Sequence, residues 1–172
     1  MQGVPAGDFH VTLSAPGAMQ APGSPTRATV LPEDMYVKSM RFGNTDVLDS
    51  GLRVPSSARD QLEIVIGANA GRINGTVVNA SRDPLPGITV VAVPDGGDRS
   101  RIYRYKQVAS DASGRFRIQG LAPGNYSLFA FDDIEDGAWL DPDVIRPHET
   151  RGTSVRVRDG NDENVQLTVI GR

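Results

Sequence analysis

Hydrophobic and polar residues alternate along much of this chain with a period of two. Phe116 and Ile118 alternate with Arg115 and Arg117, and Val165, Leu167 and Val169 with Gln166 and Thr168. Near the start, Phe9, Val11 and Leu13 share a side opposite His10, Thr12 and Ser14. Each run leaves one face dry and one wet, the mark of a half-buried strand. Between the runs stand turn clusters: Leu85-Pro86-Gly87-Ile88, Ser110-Asp111-Ala112-Ser113-Gly114-Arg115-Phe116 and Leu121-Ala122-Pro123-Gly124-Asn125-Tyr126. Pro presets φ and Gly accepts positive φ, so each cluster reverses the chain.

This pattern predicts early strands at Phe9 to Ser14, Arg27 to Leu31, Met35 to Phe42, Thr45 to Leu48 and Gln61 to Ile66, broken by Gly43-Asn44 and Pro55-Ser56-Ser57. Later strands are predicted at Arg72 to Asn79, Gly87 to Pro94, Ile102 to Ala109, Gly114 to Gln119, Asn125 to Phe131, Thr153 to Arg158 and Glu163 to Ile170. Asp159-Gly160-Asn161-Asp162 reads as a hairpin turn between the last two of these. From Asp132 to Gly152 alternation stops, which predicts a long crossover loop bridging two sheets, with a helical turn between Pro142 and Pro147. Small residues at Ala68-Asn69-Ala70-Gly71 mark a boundary. The expected organisation is a flexible segment over 1–26 carrying a candidate donor strand at 9–14, a partial β-sandwich over 27–69, and a full β-sandwich over 70–172.

Composition supports an all-β class, with 19 Gly and 12 Pro in 172 residues. Net charge is −3 and the 16 Arg are dispersed among carboxylates, so no nucleic-acid partner is expected. Cysteine is absent, which removes disulfides and thiolate metal sites. No apolar stretch is long enough to insert in a membrane, and Met1-Gln2-Gly3-Val4-Pro5 lacks the start of a signal peptide, so an exported form would be a mature or internal fragment.

The residues from Gly71 to about Ile170 resemble the carboxypeptidase regulatory-like family, relatives of transthyretin-type and collagen-adhesin B-type sandwiches found as modules of bacterial surface proteins. The resemblance rests on Gly75-Thr76-Val77-Val78, Pro84-Leu85-Pro86-Gly87-Ile88-Thr89-Val90, Ser110-Asp111 with Gly114-Arg115-Phe116, and the Leu121 to Tyr126 cluster. Asp83 stands where the family usually has Gly, and Ser110 where it usually has Thr. Met35 to Phe42 followed by Asp46 to Gly51 looks like the tail of a preceding sandwich. The resemblance implies two immunoglobulin-like or transthyretin-like β-sandwich units, the N-terminal one incomplete, with structural turn motifs and no catalytic group or cofactor.

Candidate chemistry is sparse. His10 and His148 are the only histidines and neither begins a zinc-peptidase pair; no nucleophile elbow or phosphate loop is present. Asp132, Asp133, Glu135, Asp136, Asp141 and Asp143 would offer oxygen ligands to Ca²⁺ but lack the spacing of a calcium loop. Trp139 with Tyr103 and Tyr105 forms a candidate ligand face for surface glycans, weighed against Trp139 plugging its loop onto the core. Asn74, Asn79 and Asn125 are N-glycosylation acceptors. Lys38 and Lys106 are the only lysines available to an internal isopeptide cross-link. The expected role is therefore a non-enzymatic extracellular or cell-surface structural module, with Phe9, Val11 and Leu13 donated head-to-tail to another copy to build a filament. The alternatives are a ligand-binding module and an accessory domain of a larger surface protein.

Overall fold

Alternating runs that each need one dry face satisfy it here by pairing, among the described residues, into four sheets around separate cores. The computed structural model describes residues 6–9, 31–48, 51–56, 60–96, 99 and 101–171. Val11 and Leu13, and the expected strand Arg27 to Leu31 apart from its last residue, lie outside these.

The first unit contains β1 (Gly7–Phe9), β2 (Met35–Phe42), β3 (Thr45–Asp46), β4 (Leu52–Val54) and β5 (Leu62–Ala68). β3, β2 and β5 form one antiparallel sheet in that order, and β1 pairs with β4, placing Phe9 opposite Leu52. Met40, Val47, Leu52 and Val54 are buried between the sheets, with Phe9 and Ile64 packed against them. β4 was not expected: three residues, Leu-Arg-Val, are too few to announce a period.

The second unit contains β6 (Gly71–Val78), β7 (Thr89–Pro94), β8 (Lys106–Ala109), β9 (Arg115–Leu121), β10 (Gly124–Phe131), β11 (Thr153–Val157) and β12 (Asp162–Thr168). A four-stranded sheet of order β11-β10-β7-β8 packs on a three-stranded sheet of order β12-β6-β9. Ile73, Val77, Val90, Ile118, Tyr126 and Leu128 lie in the dry layer between them. Within this layer Gly75 is required by a close approach. A Cβ there would sit 2.5 Å from the Phe116 ring, which covers the position instead.

Three sequence expectations are corrected. Ile102 to Ala109 is not one strand: Ile102–Arg104 is a 3₁₀ turn and only Lys106–Ala109 pairs. Its Arg and Tyr side chains bond to backbone elsewhere, Arg104 donating forward to the Pro123 carbonyl at 2.7 Å and Tyr105 back to that of Arg99 at 3.0 Å. The turn at 158–161 closes through Asn161 N–H to the Arg158 carbonyl, yet it is no hairpin, because β11 and β12 leave it into different sheets and β12 pairs parallel to β6. The 132–152 loop does not bridge two sheets either. It joins β10 to β11, antiparallel neighbours in one sheet, and covers that sheet's outer face.

That cover follows from local rules. Asp141 caps helix α1 (Pro142–Ile145) by accepting from the Asp143 N–H at 2.9 Å, with Pro142 at the first helical position. The loop thereby sets Trp139 and Ile145 on Val91, Val93, Phe129 and Phe131, the outward residues of β7 and β10. Both faces of these strands are thus dry, which is why Val90, Val91, Ala92 and Val93 run without a polar break.

Candidate functional site

The polar residues of the turn clusters act on the chain's own backbone. Ser110, 6% exposed, accepts from the Ile88 N–H at 2.9 Å and donates to the Leu85 carbonyl at 2.7 Å, tying two turns together. Asp111 accepts from the Ser113 hydroxyl at 2.7 Å and from the N–H groups of Ser113 and Arg115 at 2.8 and 2.9 Å. These bonds, the Ser113 hydroxyl foremost, hold the Asp111 carboxyl below its usual range. The buried Tyr126 phenol donates to the Ala122 carbonyl at 2.8 Å, and burial pushes its pKa up to about 12. Gly114 has φ 73°, and a Cβ on it would meet Pro84 at 2.8 Å and the Leu85 nitrogen at 2.9 Å.

Among the described residues, the outer face of the second unit's three-stranded sheet is open and polar. The register places Asn164, Asn74 and Arg117 in one row across β12, β6 and β9, and Gln166, Thr76 and Arg115 in the next. Neighbouring strands lie about 4.8 Å apart and successive rows about 7 Å, so six hydrogen-bonding side chains share a patch of roughly one sugar ring or a short peptide. A concavity of about 760 Å³ adjoins it, lined by Asn74, Thr76, Asp111, Arg115, Arg117 and Asn164 among others. Arg115 bonds to the Ser113 hydroxyl at 2.9 Å and lies 4.0 Å from Asp111, whereas the Arg117 side chain makes no hydrogen bond or ion pair among the described residues. The patch can bind polar or anionic groups through amides and guanidinium donors. It holds no nucleophile–base pair.

The residues singled out by sequence are dispersed. Trp139 is 7% exposed and packed in the second hydrophobic cluster, leaving little of the indole to stack on a sugar. Tyr105 packs on the same cluster, while Tyr103 lies in the 3₁₀ turn. Phe9 pairs within its own unit, and Val11 and Leu13 lie outside the described residues. Asn125 is exposed, Asn74 is half-buried in the polar patch, and the Asn79 amide bonds to Asp83 at 3.1 Å. In the acidic loop, Asp143 pairs with Arg146 at 2.7 Å and Asp136 accepts from Gln107 at 3.3 Å. Among the described residues no three or more of His, Asp and Glu gather as a metal site. His148 packs edge-on against Phe131 at 5.4 Å. Lys38 is exposed, and Lys106 shares the inner face of β8 with Val108, where burial lowers its pKa.

Sequence reasoning missed the two polar rows, because Asn74 and Asn164 become neighbours only through the parallel pairing of β6 with β12.

The model of the carboxypeptidase regulatory-like domain matches residues 72–169. No curated protein matches the chain in sequence. Among solved structures it is similar to the TIE protein of Bacillus anthracis at 11% identity and a TM-score of 0.39, covering 69% of this chain and 20% of that one. It is also similar to the minor pilin of Streptococcus agalactiae at 16% identity and a TM-score of 0.37, covering 69% of this chain and 56% of that one. The major pilin subunit of Bacillus cereus matches at 14% identity and a TM-score of 0.35, over 82% and 57% of the two chains. The matched part is thus well under two thirds of each of these longer structures.

Proposed function

Since the chain belongs to the carboxypeptidase regulatory-like domain family through residues 72–169, we propose that it serves as a non-catalytic structural module of a larger extracellular or cell-surface protein. The observation that carries this reading is the engagement of Ser110, Asp111 and Tyr126 with backbone groups. These polar side chains of the turn clusters serve to stabilise the turns. Protease applied to intact producing cells tests the location: an exposed module is cut from outside, and a chain protected until lysis overturns the surface assignment. Head-to-tail donation of residues 9–14 would sacrifice the pairing of Gly7–Phe9 with Leu52–Val54. Deleting residues 1–16 tests it, since assembly built on that strand is then lost.

A second reading is favoured by the two polar rows beside the concavity: the module binds an acidic or polyhydroxylated ligand such as a surface glycan. Calorimetry against acidic and neutral saccharides decides it. Arg117→Ala abolishes binding on this face, whereas Trp139→Ala abolishes it only if the aromatic loop is the site.

A further inference from the structure

A strand at the edge of a sheet leaves a row of N–H and C=O groups unpaired, and proteins blunt such edges with charge, brevity or inward-pointing cations. The free edges of the second unit are blunted in these ways. β8 is four residues long and turns Lys106 to the inner face; β9 carries Arg115 and Arg117, β11 carries Arg156, and β12 begins Asp162-Glu163. β5 is different. Among the described residues it is the outer strand of the β3-β2-β5 sheet, its one charge is Glu63 at the second position, and Ile64-Val65-Ile66-Gly67-Ala68 follows without another. Val65 and Ile66 are each 37% exposed, two of the three exposed large hydrophobics among the described residues. Being adjacent in a strand, they point to opposite faces, so no single overlying loop covers both. Another strand laid alongside does.

We propose that β5 is a self-association edge, pairing antiparallel with β5 of a second copy about a two-fold axis through Val65. The two three-stranded sheets become one continuous sheet, with the inner faces of both copies on the same side. Val65 faces the partner's Val65, and the exposed Ile66 faces the partner's Ile64, which extends the half-buried row of Leu62 and Ile64. Glu63 faces the partner's Gly67, so no like charges oppose. Sliding the pair by two residues one way would set Glu63 against Val65; the other way would bring Ile66 to the partner's Ile66 but set Val65 against Gly67, leaving it without an apolar partner. The centred register alone covers both exposed apolar side chains, and its isologous contact closes as a dimer, unlike head-to-tail donation. A seven-residue edge is a small interface, so association is weak, with a dissociation constant of roughly ten micromolar or above.

The intact chain contains no cysteine, which makes cross-linking selective. Val65→Cys should join to itself across the axis on mild oxidation, since directly opposed Cβ atoms lie within about 4.5–5.5 Å. Glu63→Cys should not. Light scattering of the unaltered chain should show a concentration-dependent dimer, weakened about tenfold or more by Val65→Lys, which sets two ammonium groups face to face. A chain monomeric up to about one millimolar overturns the proposal. So does a folded Val65→Lys chain that dimerises as before, or equal cross-linking at positions 63 and 65. Open-ended oligomers lost on deleting residues 1–16 would assign assembly to the N-terminal strand and overturn it as well. Should Val65→Lys fail to fold, the cysteine pair decides.

Discussion

Ser110 shows how much a single hydroxyl carries in this fold. It satisfies the Ile88 N–H and the Leu85 carbonyl in a site closed to water. Ser110→Ala strands both, and leaving such groups unpaired costs roughly 1–3 kcal/mol, measurable as a shift in the urea midpoint at unchanged slope. Tyr126 makes a pH-dependent contribution. Its pKa rises from 10.0 to about 12 on folding, so its hydrogen-bonded neutral form stabilises fully below pH 10 and loses that contribution as pH climbs through about 12. Thermal melts between pH 9 and about 12 should show an alkaline loss of stability that is shallower in Tyr126→Phe. Both residues sit in turn clusters visible in the sequence, but their partners at Leu85, Ile88 and Ala122 had to come from the structure.

At the scale of elements, the 132–152 crossover is the instructive case. Its alternation stops because its side chains face a sheet from above and do not belong to one. Trp139→Ala opens a cavity against Phe129, Phe131 and Val93, and a buried Trp→Ala change costs about 3–5 kcal/mol, read from chemical denaturation. If the β6-β9-β12 face binds a saccharide as proposed, the same variant should leave that binding unaltered. A sign of the crossover's position was present in the unbroken apolar runs Val90 to Val93 and Leu128 to Phe131, since strands dry on both faces imply a second cover. The 3₁₀ turn at Ile102–Arg104 had no such sign, because alternating Arg and Tyr fits a strand until the reach of Arg104 to Pro123 is known.

For the whole molecule, a few contacts among the described residues join β2 to the second unit. Tyr36 on β2 donates to Asp159 at 3.1 Å, the Ala70 N–H reaches the Asp34 carbonyl, and Gly120 lies near the start of β2. Burial, with the Asp159 bond next, raises the Tyr36 phenol's pKa. The second unit has its own dry layer and its own cover, so residues 70–172 alone should unfold in a single cooperative transition by calorimetry. Tyr36→Phe in the intact chain should change stability by less than about 1 kcal/mol, because that hydrogen bond is exposed.

The division between sequence and structure follows from the range of each physical signal. Period-two alternation and Pro-Gly turn chemistry are local, so the sequence by itself determined the all-β class, strand β2 to the residue, most strands of the second unit and the turns at 85–88 and 111–114. Sheet partners depend on which dry faces meet after collapse. Only the tertiary structure therefore decided that β12 runs parallel beside β6, that the crossover covers β7 and β10, and that β5 is the outer strand of its sheet among the described residues. The polar rows of Asn74, Asn164 and Arg117 belong to that second class, since pairing across nearly a hundred residues leaves no mark in the spacing of any one strand.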